Sequence, residues 1–369
     1  MRAEESSSVS PCLLRLSKVR QRMEAERLDA LLVTSLPNVQ YLTGFSGTES
    51  GDGVMLVTAR NSILFTDSRY DLQAHEEVAG SQVMIVKGGA FAAAAKWSRR
   101  TRNGNLGFES GAISYAAHHR LRELLPKKKL IAVSSWVEAL RMVKDEQEID
   151  QIRNAVEAGS RAYSETLGAL RIGMSELEVA AEIEYRMRLC GAERPAFETI
   201  VAFGERSALP HARPGTRKLR ANEFVLMDLG AILGGYAGDM TRTVFTGKVP
   251  RKSSQIYHAV LEAQLAAEDV VRAGVKCSTV DRAARRVLER HGFAQYFTHS
   301  TGHGVGREIH ELPRLAAKQE MELPERAVVT VEPGVYIPGY GGVRIEDVIV
   351  VREKGAEVLT PTPKKLMVL

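Results

Sequence analysis

Residues 224–245 read FVLMDLGAILGGYAGDMTRTVF, two apolar segments on either side of a glycine-rich turn. Asp228 lies near the end of the first segment, and Asp239 directly precedes the second. A hairpin over this stretch would bring the two carboxylates side by side. Two carboxylates held that close in a partly buried site repel each other unless a cation neutralises them. The stretch therefore predicts a metal site, and the alternative is a turn with solvated acids.

Three further side chains extend this set. His303 lies in the glycine-rich run TGHGVG, while Glu332 and Glu346 lie at the end of or within apolar, strand-like runs. Acids are rarely fully buried unless they are paired or metal-bound. Pairing with Arg344 would explain Glu346 alone. Four carboxylates and one imidazole suit divalent ions such as Mn²⁺, Co²⁺ or Zn²⁺, so we expect metal-assisted hydrolysis at a pair of ions.

Other catalytic templates do not fit the sequence. The run TGHGVG lacks the lysine and the serine or threonine of a P-loop, and its spacing differs from that of a dinucleotide-binding loop. Residues 310–314, HELPR, lack the second histidine of the H-E-x-x-H motif, and no G-x-S-x-G elbow is present. These patterns argue against nucleotide chemistry and against a serine nucleophile.

Length and composition indicate a globular protein of two domains. The chain has 369 residues, 44% of them hydrophobic and 26% charged, which at about 150 residues per domain favours two. No apolar stretch approaches the ~20 residues of a membrane span, and residues 1–22 show no secretory signal. The three cysteines, Cys12, Cys190 and Cys277, lack paired spacing, so we expect neither disulfides nor a zinc–thiolate site, and a cytoplasmic location.

The net charge of +5 and the pI near 9.0 raise the question of a nucleic-acid partner. The densest basic clusters are Arg99, Arg100 and Arg102, and then Lys127 to Lys129. Neither cluster is interleaved with aromatic residues or set in a recognisable nucleic-acid module. We interpret both as solvated surface and expect no nucleic-acid binding.

Periodicity divides the chain at a charged run near residue 144, which predicts one domain over residues 1–143 and another over 144–369. In the first, strands at residues 30–34, 54–58, 63–67, 83–86 and 130–133 alternate with helices at 69–78, 90–100 and 113–125, which is typical of an α/β domain. In the second, strands precede and follow a pair of helices, which favours an α+β fold. There, helices are predicted at residues 144–170, 175–190, 254–273 and 279–291, and strands at 199–203, 224–231, 241–245, 327–331 and 343–351. Ser175 and Glu178 form a capping-box pattern.

The second half resembles the catalytic domain of the Xaa-Pro aminopeptidase and prolidase family, the pita-bread metallopeptidases. The matching stretches are SALPH (207–211), MDLG (227–230), GDMTRT (238–243), HSTGHGVG (299–306), HELP (310–313), VEPGVY (331–336) and GVRIED (342–347). The first half resembles the family's creatinase-type N-terminal domain through PNVQYLTGFSG (37–47) and FTDSRY (65–70). The resemblance implies an α/β N-terminal domain followed by an α+β pita-bread catalytic domain.

The resemblance also implies roles for the metal-binding candidates. Asp228 would bind one ion through both oxygens, Asp239 and Glu346 would bridge two ions, and His303 with Glu332 would complete the second. Mn²⁺ is the expected metal, with Co²⁺ or Zn²⁺ as alternatives. Two such ions lower the pKa of a water between them and polarise the scissile carbonyl. Glu332 would also carry a proton to the leaving nitrogen.

Five more residues match substrate-contacting or supporting positions of the family. His310 would stabilise the oxyanion and His211 would orient the peptide. His299, Tyr336 and Arg344 match supporting or proline-pocket positions, and Arg344 could chiefly hold Glu346 in place.

We therefore expect an Xaa-Pro aminopeptidase that acts on small peptides with proline at the second position. A strict Xaa-Pro dipeptidase is the alternative, and a non-catalytic peptide-binding module is more remote. Arg213 and Arg307 depart from the family's usual residues, and either could capture a dipeptide carboxylate or face solvent. A metal-free creatinase-type enzyme would lack several ligands that are present here. The family also implies a homodimer.

Overall fold

The computed structural model describes residues 10–101 and 104–369. The chain divides into two compact units, Met1–Arg141 and Met142–Leu369. Arg102 of the basic cluster and the first nine residues of the segment analysed for a secretory signal lie outside the described residues. No helix in the described part of the chain is long and apolar enough to cross a membrane.

The first unit is built on one six-stranded mixed sheet. Its strands are β1 (Ala30–Val33), β2 (Val54–Thr58), β3 (Ser62–Thr66), β4 (Gln82–Ile85), β5 (Asn105–Glu109) and β6 (Lys129–Val133). Its helices are α1 (Pro11–Ala25), α2 (Leu36–Thr43), α3 (Asp71–Glu77), α4 (Ala90–Ser98), α5 (Tyr115–Leu124) and α6 (Trp136–Met142). The sheet order is β4-β3-β2-β1-β5-β6. Apolar residues of α1, α2 and α6 cover one face, and those of α4 and α5 cover the other, so the predicted α/β layering is confirmed.

Four elements of this unit were not predicted from the sequence: α1, α2, α6 and β5. The buried stripe of α1, which includes Leu16, Val19 and Met23, is interrupted by basic residues that face solvent. β5 contains Gly107, a residue of low strand propensity. A Cβ at Gly107 would lie 2.6 Å from Leu28 Cδ1, so the glycine that made the strand hard to predict leaves room for the Leu28 side chain.

The second unit is an α+β fold, as predicted. Its helices are α7 (Glu146–Ala169), α8 (Glu176–Leu189), α9 (Arg251–Asp269) and α10 (Cys277–Arg290). Its strands are β7 (Arg194–Pro195), β8 (Ile200–Phe203), β9 (Phe224–Leu229), β10 (Ala231–Leu233), β11 (Tyr236–Ala237), β12 (Met240–Phe245), β13 (Gly302–Gly304), β14 (Glu311–Leu315), β15 (Val328–Val331), β16 (Gly334–Ile337), β17 (Gly341–Arg344), β18 (Asp347–Val351) and β19 (Ala356–Val358). All pairings between these strands are antiparallel.

Two helix pairs cover the sheets of this unit. Apolar residues of α7 and α8 pack on β8, β9 and β12, while α9 and α10 form the larger core with residues from β15 to β18. The prediction of a single strand over residues 343–351 is wrong, because residues 345–346 interrupt the strand conformation and separate β17 from β18. That break frees the side chain of Glu346 from the regular alternation of a strand.

The predicted capping box at the start of α8 is present. The amide of Glu178 donates to Ser175 Oγ at 3.2 Å, and the Glu178 carboxylate accepts from the Ser175 amide at 2.6 Å. The same device opens α7, where Asp145 and Glu148 are the partners. Such caps satisfy amide groups that the helix itself leaves without acceptors.

The Ser175→Ala substitution should lower the stability of the second unit by about 1 kcal/mol, because it removes the cap acceptor. The readout is the urea midpoint followed by helical circular dichroism. Ser164→Ala is the matched control, since Ser164 lies on the exposed side of α7 and its hydroxyl donates to the carbonyl oxygen of Ser160 within the same helix at 2.9 Å. Equal midpoints for the two variants would contradict the role of the cap.

Candidate metal and peptide site

Neighbouring strands hold the first two acids. β9 and β12 pair antiparallel with Thr241 opposite Asp228, so that Asp239, just before β12, lies near the end of β9. Both residues are nearly out of solvent, with exposures of 8% for Asp228 and 5% for Asp239. The alternative of a turn with solvated acids is therefore wrong.

His303 and Glu346 reach the same place from other strands. Ligand atoms of Asp239, His303 and Glu346 all lie within 4.8 Å of one another. Glu332, which follows β15, joins them because its Oε1 lies 3.4 Å from His303 Nε2. The structure thus brings four of the five predicted ligands around one point, and Asp228 borders them through its contact with Arg344.

Glycines allow the strand that carries His303 to approach its neighbours. A Cβ at Gly302 would lie 2.0 Å from the carbonyl oxygen of Thr330, and one at Gly304 would lie 2.2 Å from that of Leu312. Any larger residue would push β13 away from β14 and β15. The glycines around His303 therefore serve the close packing of backbones that places the imidazole.

Burial and mutual repulsion raise the pKa values of three of the acids. For Asp239, burial is the largest cause and the charges of Glu346 and Asp228 follow, so its pKa lies well above the ordinary range. The pKa of Glu346 is raised in the same way, by burial and then by Glu332 and Asp228. Burial raises the pKa of Glu332 to about 8. The cluster therefore holds more carboxylates than can ionise together without added positive charge.

Arg344 supplies one such charge, and its partner differs from the expected one. Its Nη2 donates to Asp228 Oδ2, and its Nε donates to Thr241 Oγ1 at 3.0 Å. The Thr241 hydroxyl donates in turn to Glu346 Oε2 at 2.6 Å. Arg344 thus reaches Glu346 through a threonine rather than by a direct pair, because Glu346 lies beyond the end of β17. The second oxygen of Asp228, Oδ1, is buried and has no hydrogen-bond partner in the described part of the chain, which leaves its lone pairs available to a cation.

His299 and Tyr336 continue the chain of contacts from Arg344. The Tyr336 hydroxyl accepts from Arg344 Nη1 at 2.8 Å and lies 2.8 Å from His299 Nε2. Burial, and then the charge of Arg344, lower the pKa of His299 to about 4, so this imidazole is neutral at physiological pH. These three predicted residues form one connected side of the site.

His303 and His310 lie next to each other, with ring centroids 4.4 Å apart. Burial lowers the pKa of His303 to about 4, which favours the neutral form that binds metals. Burial also lowers the pKa of His310, and the nearby His211 lowers it further. The residue before His211, Pro210, offers its carbonyl oxygen to Arg344 Nη1 at 3.3 Å, so the segment that carries His211 is anchored to the site.

Three residues near the site were not predicted: Thr241, Thr330 and Arg314. Thr330 Oγ1 donates to Glu332 Oε1 at 3.3 Å, as Thr241 does to Glu346. Arg314 is exposed and pairs directly opposite His303 across β13 and β14. Burial is the largest cause of the lowered pKa of His303, and the charges of His310 and then Arg314 lower it further, against a hydrogen bond with the Gly304 backbone that raises it. Its position right after the HELP motif was the available signal.

The two arginines proposed from sequence departures are engaged elsewhere. The guanidinium carbon of Arg307 lies 4.7 Å from the centroid of the Tyr236 ring, a cation–π contact. Arg213 is exposed and lies 3.5 Å from Glu198. Arg314, whose Nε donates to Ser300 Oγ at 3.4 Å, is the one of these three arginines that lies directly opposite His303.

Comparison with known proteins relates this geometry to characterised peptidases. Residues 150–353 match metallopeptidase family M24, and residues 15–143 match the creatinase/prolidase N-terminal domain. The chain is 37% identical to the Xaa-Pro dipeptidase of Pyrococcus furiosus over 354 residues, which cover 96% of this chain and 99% of that protein. A solved Xaa-Pro dipeptidase from Bacillus anthracis is 36% identical with a TM-score of 0.92, covering 97% of this chain and all of that one. The X-Pro aminopeptidase of Thermotoga maritima is 36% identical with a TM-score of 0.87, covering 94% of this chain and all of that one.

These matches confirm the predicted family and the predicted fold, an α/β N-terminal domain followed by an α+β pita-bread domain. Enzymes of this family hydrolyse peptides with the help of divalent metal ions. A buried cluster of acids and a neutral histidine fits that requirement. The chain belongs to metallopeptidase family M24 and joins its peptidase domain to a creatinase/prolidase N-terminal domain.

Proposed function

We propose that this enzyme is an Xaa-Pro dipeptidase. The observation that carries the proposal is Arg314, an exposed cation directly opposite His303. In a dipeptide, the carboxylate follows the proline immediately, and a guanidinium at the site can bind it through two parallel hydrogen bonds. The Xaa-Pro dipeptidases of two Pyrococcus species, at 37% and 36% identity, support this choice. The aminopeptidase expected from the sequence becomes the second candidate.

The five predicted ligands support a site for two divalent ions, with Mn²⁺ as the proposed metal. Asp228, Asp239, His303, Glu332 and Glu346 would hold the ions. Mostly oxygen ligands with one imidazole suit Mn²⁺, and Co²⁺ and Zn²⁺ remain alternatives. When bound, the ions would polarise the scissile carbonyl and make a water nucleophilic near neutral pH.

The side chains around the ligands would perform the remaining steps. Glu332, held by the Thr330 hydroxyl, would take a proton from the attacking water and pass it to the proline nitrogen as the bond breaks. His310, a neutral imidazole with one N–H, would donate to the oxygen on which negative charge develops. His211 would orient the bound peptide, and His299, Tyr336 and Arg344 would form the wall against it.

Proline explains why such a site is needed. The residue has no amide N–H and its ring fixes φ, so a protease that grips the backbone by that donor handles it poorly. Recognition must come from the ring and from the charged ends of the substrate. Small peptides with proline at the second position are therefore the proposed partners, and a cytoplasmic homodimer is the proposed assembly.

The first test is hydrolysis of Gly-Pro and of Gly-Pro-Ala by protein loaded with Mn²⁺, with and without a chelator. We expect cleavage of Gly-Pro, much slower cleavage of the tripeptide, and loss of both activities on chelation. Product amino acids are measured by chromatography. Faster cleavage of the tripeptide would favour the aminopeptidase, and cleavage of neither would contradict both candidates.

The Arg314→Gln substitution should lower kcat/KM for Gly-Pro roughly ten- to hundred-fold, because a hydrogen bond to a charged group contributes about 1.5–3 kcal/mol. Cleavage of Gly-Pro-amide, which lacks the carboxylate, should be unaffected. Arg213→Gln is the matched control, since Arg213 is an exposed arginine paired to Glu198. An equal loss with both substrates would exclude Arg314 as the carboxylate partner.

The metal-free protein should lose stability as the pH rises from about 4.5, the ordinary pKa of a glutamate, to about 8. The pKa of Glu332 is about 8 in the folded protein, above its value in the unfolded chain. Between the two pKa values the unfolded state has lost this proton and the folded state still holds it. Rising pH therefore favours the unfolded state. Thermal unfolding at several pH values measures the effect. Mn²⁺ should remove the decline, and Glu332→Gln should make it smaller, because the raised pKa values of Asp239 and Glu346 still contribute. A metal-free protein equally stable across this range would contradict the expectation.

A further inference from the structure

Side chains on both faces of strand β12 make polar contacts with neighbouring segments. Thr241 contacts Glu346 and Arg344 on the side of the metal cluster, and Thr243 contacts the backbone of Arg344. Arg242, between them, points to the opposite side and is only 2% exposed. None of the steps of peptide hydrolysis described above uses Arg242.

All five N–H donors of the Arg242 guanidinium have acceptors, which is the full number this group offers. Nη1 donates to the carbonyl oxygens of Glu346 at 2.5 Å and Thr241 at 3.0 Å. Nη2 donates to Asp347 Oδ1 at 2.6 Å and to the carbonyl oxygen of Thr362 at 2.6 Å. Nε donates to the carbonyl oxygen of Pro363 at 3.1 Å. One side chain therefore joins three segments: β12, the break that contains Glu346, and the segment at residues 362–363.

Further charges balance this junction. Asp347 also pairs with Lys364 at 2.7 Å, and Lys364 pairs with Glu268 at 2.7 Å. Asp347 is fully buried and Lys364 is partly buried. Two cations thus face two carboxylates, so loss of either cation would leave a carboxylate poorly compensated in the interior.

The same contacts hold the peptide units on both sides of Glu346. Its amide donates to the carbonyl oxygen of Thr241 at 3.1 Å, and its carbonyl oxygen accepts from Arg242. Its carboxylate accepts from Thr241 Oγ1. Glu346 lies in the break between β17 and β18, so the regular backbone hydrogen bonds of a strand do not fix its position. The hydrogen bonds from Thr241 and Arg242 of β12 fix Glu346 instead.

We propose that Arg242 is a positioning residue, which fixes the backbone of Glu346 so that its carboxylate stands ready for a metal ion. The proposal rests on the proposed function in one respect, the role of Glu346 as a ligand. Partners that orient a ligand typically contribute ten- to hundred-fold in metal affinity when mutated. Arg242 acts here through a main-chain carbonyl and through the neighbouring residue, Asp347.

The test compares Arg242→Lys with the wild-type full chain. Lysine keeps the charge, but a single ammonium cannot serve five acceptors arranged in a fork. Mn²⁺ alone is titrated into chelator-stripped protein by calorimetry. We expect roughly ten- to hundred-fold weaker binding, and recovery of Gly-Pro cleavage at saturating Mn²⁺. Arg217→Lys is the matched control, since Arg217 forms a similar fork with Glu223, at 2.8 and 2.6 Å, that touches none of the proposed ligands.

Wild-type Mn²⁺ affinity in Arg242→Lys would overturn the proposal, even if the variant unfolds at a lower temperature. An equal loss of affinity in Arg217→Lys would also overturn it, because the effect would then be one of general stability. If Arg242→Lys does not fold, Asp347→Asn decides, since it keeps the shape of the partner and removes its charge; unchanged affinity there would overturn the proposal. If the wild type does not cleave Gly-Pro but its metal affinity still depends on Arg242, the proposed dipeptidase function is wrong and the positioning role of Arg242 is retained.

Discussion

Repulsion among buried carboxylates is the constraint on which the second unit depends. Asp239, Glu332 and Glu346 lie close together out of water, and their raised pKa values measure the cost of ionising them there. Arg344 offsets part of that charge through Asp228. A divalent ion would offset more, so the feature that disfavours the folded protein without metal is the same one that favours metal binding.

The fold brings the candidate ligands together by placing them where strands begin, end or are interrupted. Asp239 precedes β12, Glu332 follows β15, and Glu346 lies between β17 and β18. Such positions escape the strict alternation of a strand, so side chains from different sheets can converge. Two threonines, Thr241 on β12 and Thr330 on β15, then fix the orientation of the Glu346 and Glu332 carboxylates.

The ligand candidates could be predicted from sequence because a metal site restricts residue types, and because acids in apolar runs demand an explanation. The long helices followed from their periodicity and from caps such as Ser175. Other features left no trace in residue types. The partner of Arg344 depends on where β17 ends, and Arg242 acts mainly on carbonyl oxygens, which every residue possesses. The roles of the individual ligands stay predictions until the tests above are made.

The contact between Thr241 and Glu346 joins residues 105 positions apart in the chain. Contacts of such high sequence separation carry a large loop-closure cost, so we expect this contact to form together with the rest of the second unit's fold. A partly folded chain therefore lacks the assembled cluster, and an ion that binds the cluster binds the native state alone. By mass action, such an ion multiplies the ratio of native to unfolded protein by one plus the ratio of its concentration to its dissociation constant. Metal starvation would then act on the amount of this enzyme as well as on its activity, because a larger unfolded fraction is exposed to cellular proteases.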